Sequence, residues 1–208
     1  MGEGFGGIKE LLLSGRQNYF IDQFEEASIN FSYAKAKSYQ NLQNVIIEKI
    51  KIYVNGQFYK RNDAKISVMD SGYLLGDGVW EGIRLHKNKL IHIDQHLKRL
   101  YEGAGKISMN IGLKPEVLKS ILYDTLKQNN MNSDVHIRLI ISRGIKSTPY
   151  QHPKVTIGEP TIVIIPEYKK ANPALKTEGI TLGTVKTIRD NRIQDPRINS
   201  LSKHNCIA

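Results

Sequence analysis

Residues 70–107 read DSGYLLGDGVWEGIRLHKNKLIHIDQHLKRLYEGAGKI, and this stretch decides the fold. Gly72, Gly76 and Gly78 lie within seven residues, so the backbone there must turn tightly or approach a neighbour closely. The run VWEGIRLHKNKLIHI that follows predicts a strand pair turning at Lys87-Asn88-Lys89. Asp94 has the character of an N-cap, and Leu97, Leu100, Tyr101, Ala104 and Ile107 follow at helical spacing. Asp77 and Glu81 flank Trp80, and the predicted helix carries Arg99. Taken alone, the glycines would mark no more than a turn before a surface helix.

Outward from this stretch the elements alternate. KIYVNGQFYK, residues 51–60, is two β-prone runs around Asn55-Gly56, a strong hairpin signal. Pro115 sits at the first position of an amphipathic helix marked by Val117, Leu118, Ile121, Leu122, Thr125 and Leu126. VHIRLIIS (135–142) and TIVIIP (161–166) have the β-branched content of buried strands. EYKKANPALKTEG is polar and holds Pro and Gly, as a linker does, and ITLGTVKTI predicts a strand after it. Residues 1–48 keep no clean period and are read as an extension, partly helical, with no assignable chemistry. The expected organisation is an α+β domain over 49–166, a linker over 167–176 and the start of a second unit over 177–208.

Bulk properties narrow the function classes. The 208 residues are 40% hydrophobic, enough to bury a substantial core. No apolar run reaches the roughly 20 residues of a membrane helix, and the first 15 residues do not form a secretory signal. A single cysteine, Cys206, fits a reducing cytoplasm. The net charge of +10 raises a nucleic-acid reading, but the basic residues are scattered and no recognition signature accompanies them. No nucleic-acid, membrane or metal partner is expected; a solvated basic surface is the favoured account of the charge, with a local anionic ligand such as a cofactor as the alternative.

The order of VNGQF, GDGVWEGIR, HLKRL and VHIRLIISRG resembles the fold-type IV (class IV) pyridoxal-phosphate enzymes: branched-chain aminotransferases, D-amino acid aminotransferases and aminodeoxychorismate lyases. The resemblance runs from about Lys51 to the C-terminus and rests on the order and spacing of these strings. It implies an α/β fold of a small α+β domain followed by a larger α/β domain, only the start of which is present. It also implies pyridoxal 5'-phosphate as cofactor, an amino acid and a 2-oxo acid as substrates, and a homodimer. Family members continue past this point, so the chain is expected to be truncated.

By that resemblance Arg99 matches the arginine that binds the cofactor phosphate. A guanidinium offers a planar, permanently charged fork to phosphate oxygens, although an amphipathic helix also carries solvated arginines. Tyr73 matches an aromatic residue on the substrate side, and Arg138 an inward-facing arginine near the substrate acid. On its own terms a charge within VHIRL must be paired or functional. D-amino acid aminotransferases place an arginine and a histidine after the RG turn, where this chain has Thr148 and Tyr150, with His152 displaced. Together with EGIR at 81–84, this favours the branched-chain type. Lyase and D-amino acid aminotransferase activities are the alternatives.

Pyridoxal chemistry needs an amine that forms a Schiff base and shuttles protons at the substrate α-carbon. The resemblance puts Asn199 of INSLSKHN in the lysine's place, and an amide cannot form that bond. Two readings follow. In one, residues 199–203 are helical and Lys203, one turn on, supplies the amine. In the other, the chain is a non-catalytic relative that keeps the cofactor-binding features.

Overall fold

The computed structural model describes residues 28–35, 37, 48–170, 172–183, 195 and 197–202. The chain forms two compact units, Met1–Ile47 and Glu48–Ala208. In the first, residues 28–35 are helical, with Ile29, Phe31 and Tyr33 exposed.

The second unit is built on a six-stranded sheet. Its elements are β1 (Lys51–Val54), β2 (Gln57–Lys60), α1 (Ser71–Leu75), β3 (Gly78–His86), β4 (Lys89–Leu90), α2 (Ile93–Lys106), α3 (Pro115–Gln128), β5 (Val135–Ser142), a 3-10 turn (Pro153–Val155), β6 (Thr161–Tyr168) and α4 (Ala174–Thr177). The strand order is β2-β1-β6-β5-β3-β4, with antiparallel pairing between neighbours. The fold is thus a mixed helix and antiparallel-sheet structure.

Strand alternation sorts the faces. Val79, Glu81, Ile83 and Leu85 of β3 point to one side with Ile137, Leu139 and Ile141 of β5 and Ile162 and Ile164 of β6, all buried. Leu97, Leu100 and Ala104 of α2 and Leu118, Leu122 and Leu126 of α3 close over this side and join the same core. Burying each of these Leu or Ile side chains contributes about 1.5–3 kcal/mol. The other face carries Trp80, Arg84, His136, Arg138, Ile140, Val163 and Ile165, all half-buried.

The hairpin at Asn55-Gly56 forms with Val54 opposite Gln57, and both turn residues have positive φ, 43° and 91°. The second turn is tighter than expected. His86 pairs Lys89 directly, so Lys87 and Asn88 alone make the bend, at φ 47° and 63°. Asp94 is not the N-cap. His92, at φ 51°, precedes the helix, and Asp94 lies in its first turn. There it suits the helix dipole and accepts a hydrogen bond from Lys119 Nζ at 2.8 Å. Pro115 opens α3 as expected. Strand β6 continues to Tyr168, and residues 180–183 carry no strand; the remainder of the ITLGTVKTI run, 184–188, lies outside the described residues.

Candidate cofactor site

Glu81 is the centre of the site. Its odd-numbered position on β3 turns it toward the helices, where its side chain is 0% exposed. On α2, His96 and Arg99 are three residues apart and so share a face that looks down on it. Arg99 Nε donates to Glu81 Oε1 at 2.7 Å and Nη2 to Oε2 at 2.6 Å. His96 Nδ1 lies 2.8 Å from Oε2. Burial alone pushes the Glu81 carboxyl up, but the hydrogen bonds and charges of Arg99 and His96 outweigh it and hold the group ionised below its usual range. The Glu81 carboxylate in turn raises the Arg99 guanidinium further. Arg99 remains 52% exposed at its side chain, so one edge of the fork is fixed by Glu81 while the rest faces outward.

The fourth member is Asn199, whose Nδ2 donates to Glu81 Oε1 at 3.3 Å. It belongs to a short strap, described at 195 and 197–202, that lies along the open edge of β3. The Trp80 backbone N–H donates to the Asn199 carbonyl at 2.8 Å, the Leu201 backbone N–H donates to the Gly78 carbonyl at 2.9 Å, and Val79 bridges Ser200. Lys106 Nζ donates to Asp195 Oδ2 at 2.9 Å and tethers the strap to α2. Hydrogen bonds from Arg197 and Lys106 hold the Asp195 carboxyl well below the usual range.

The glycine-rich turn makes room for this strap. A Cβ on Gly78 would collide with the Ile141 carbonyl oxygen and lie 2.7 Å from Leu201 Cδ1. Gly76 ends α1 in the left-handed region at φ 67°, where a Cβ would also stand 3.1 Å from the Ser202 backbone. Asp70 starts α1: its Oδ1 accepts from Gly72 N–H and its Oδ2 from Ser142 Oγ, both at 2.8 Å. Arg143 locks the turn from the other end, donating to both Asp77 carboxylate oxygens and to the carbonyls of Ile107 and Ser108.

The expected site residues fall in three places. Arg99 and Asn199 meet at Glu81. Arg138 lies on the opposite face of the sheet, its guanidinium carbon 4.0 Å from the centroid of the Trp80 ring. Tyr73, on α1, is 69% exposed. Asn199 pairs with the edge of β3 through the Trp80 backbone N–H and turns its side chain to Glu81 on the helix-covered face. Residues 199–202 are not helical, so the one-turn spacing expected between 199 and 203 does not hold over the described part, and Lys203 lies outside the described residues. Glu81, His96 and Arg143 received no role from the sequence. The signal for the first two was an acid on a strand followed by a basic i, i+3 pair on the next helix.

The model of the family described as Amino-transferase class IV matches residues 78–208 of this chain. The chain belongs to the class IV aminotransferase family. A Methanocaldococcus jannaschii protein, provisionally named as a branched-chain-amino-acid aminotransferase, is 36% identical over 161 residues, covering 76% of this chain and 54% of that relative. The D-alanine aminotransferase of Staphylococcus haemolyticus is 30% identical over 152 residues, 73% of this chain and 53% of its own. The chain therefore spans about half the length of these curated relatives. Among solved structures, the branched-chain amino acid aminotransferase from Escherichia coli is 22% identical with a TM-score of 0.50, covering 57% of this chain and 41% of that one. That likeness concerns the fold. Among the described residues no helix is long and apolar enough to cross a membrane.

Proposed function

We propose that the protein is a pyridoxal-phosphate-dependent aminotransferase of the branched-chain type, exchanging an amino group between an amino acid and a 2-oxo acid. The observation that carries this reading is the Glu81–Arg99 pair, in which a buried carboxylate fixes one edge of a half-exposed guanidinium. An anchored, permanently charged fork is the donor that a phosphate monoester requires. The phosphate end of the cofactor therefore fits the residues present. The aldehyde end finds no amine at position 199, where the side chain is an amide, and the reading assigns the amine to Lys203.

When bound, the cofactor supplies an aldehyde and an electron sink at the substrate α-carbon. The chain's own residues then divide the work. Arg99 binds the phosphate, and Glu81 and His96 keep its orientation. Lys203 carries the proton at the α-carbon. Arg138, stacked on Trp80, and Tyr73 line the substrate side, with Arg138 facing an acidic group. The same reading gives a homodimer in the reducing cytoplasm, and sedimentation of the full chain tests the dimer.

The contact of Asn199 with Glu81 favours a second reading, a relative that holds a phosphorylated ligand without covalent attachment. Titration with pyridoxal 5'-phosphate, borohydride reduction and peptide mapping separate the two. A stable adduct on Lys203 supports the aminotransferase. Binding with no trapped adduct supports the second reading, and no binding removes both. Assays pairing leucine or D-alanine with 2-oxoglutarate decide between branched-chain and D-amino acid transamination, and pyruvate release from aminodeoxychorismate with no 2-oxo acid added tests the lyase.

A further inference from the structure

Two glycines stand two residues apart on α2, and only one of them faces a neighbour at contact distance. Gly103 is buried, and a Cβ built on it would lie 3.4 Å from Ile198 Cγ2 and 3.7 Å from Val79 Cγ1. Gly105 is exposed, and a Cβ there would meet nothing within 4 Å. Both carry the same intrinsic cost inside a helix. The notch at Gly103 therefore receives Ile198, which lies immediately before Asn199 and packs against the core. The main-chain bonds of the strap go to Trp80 and Gly78 of β3, whereas its contacts with α2 include the Lys106–Asp195 pair and Ile198 at Gly103.

We propose that Gly103 is a positioning residue: it seats Ile198 of the strap and through it sets Asn199 against Glu81 in the Arg99 site. An alanine fits, because 3.4 Å is ordinary contact, whereas two further methyl groups occupy the space that Ile198 fills. Only the ligand-binding arm of the test rests on the cofactor reading given above.

The test compares Gly103→Ala, Gly103→Val, Gly105→Val and Gly103→Val combined with Ile198→Ala, all in the full chain. The Trp80 backbone N–H donates to the Asn199 carbonyl, so its backbone amide signal reports the seating of the strap, and the emission of this single tryptophan is read beside it. The side-chain amide signals of Asn199 report the contact with Glu81. Expected results are shifted emission, a moved Asn199 amide signal and about tenfold or greater loss of pyridoxal 5'-phosphate affinity for Gly103→Val. Gly103→Ala and Gly105→Val should match the parent, and Ile198→Ala should restore the Gly103→Val protein. Parent-like signals in Gly103→Val, an equal change in Gly105→Val, or no rescue by Ile198→Ala would overturn the proposal. If Gly103→Val does not fold, Ile198→Phe crowds the same notch from the strap, and parent-like signals there overturn it equally. If the parent chain fails to bind pyridoxal 5'-phosphate, the cofactor reading falls, while emission and amide signals still decide the seating.

Discussion

Arg99 and Glu81 are joined by two parallel hydrogen bonds across the α2–β3 contact, with the carboxylate fully buried and the guanidinium half exposed. The asymmetry matters. A cation whose inner edge is committed to a buried anion cannot swing away, so its outer edge is presented in one orientation.

Replacing Glu81 with Gln keeps the shape but removes the charge. Arg99 then loses its charge-assisted anchor, and destabilisation of about 2 kcal/mol is expected, below the range for a fully buried pair because the arginine is half exposed. Denaturant unfolding measures this. On the proposed reading, affinity for pyridoxal 5'-phosphate falls by about tenfold.

The same pair sets an acid limit. Glu81 is held ionised below its usual range, so the folded state binds its proton less readily than the unfolded chain does. Its contribution is complete above about pH 4.3, the unfolded value, and is lost as pH falls through the lower folded value. Unfolding free energy measured from pH 6 to pH 3 should therefore fall more steeply in the parent than in Glu81→Gln. Equal slopes would show that Glu81 is not the group responsible.

Gly78→Ala and Gly105→Ala should have opposite effects on stability. At Gly78 the new Cβ meets the Ile141 carbonyl and Leu201, and a loss of about 2–4 kcal/mol is expected, with release of the strap. At Gly105 the space is open, and alanine should add about 0.5–1 kcal/mol through helix propensity. Thermal midpoints of the two variants check both signs.

Arg138→Met removes the cation 4.0 Å from the Trp80 centroid. Because Trp80 is the single tryptophan, its emission should change directly. The loss in stability should be small, about 0.5–1 kcal/mol for a half-exposed cation–π contact. If Arg138 faces a substrate acid as proposed, KM for a dicarboxylic 2-oxo acid rises while that for an apolar one does not.

Much of this architecture was legible in the chain itself. Asn55-Gly56 called for a two-residue hairpin, Pro115 for a helix start, and VHIRLIIS for a buried strand, because each signal is local: a φ preference, a missing N–H or a side-chain period. Asp94 shows the limit of that logic. Its side chain suits an N-cap, yet the tight path through Ile91 and His92 starts the helix earlier, and Lys119 of another helix claims the carboxylate.

The site divides along the same line. Sequence order alone was enough to place the chain in its family, and with it came the expectation that Arg99 and Asn199 occupy the family's phosphate and lysine positions. Only the tertiary structure decided that Glu81 is the group uniting Arg99, His96 and Asn199, that Arg138 stacks on Trp80 on the far face, and that residues 199–202 run as a strap. Those facts depend on which strand edge the strap meets and which face each strand residue turns to the helices. Pairing partners separated by 18 and 118 residues are chosen by packing and register, which no local preference encodes.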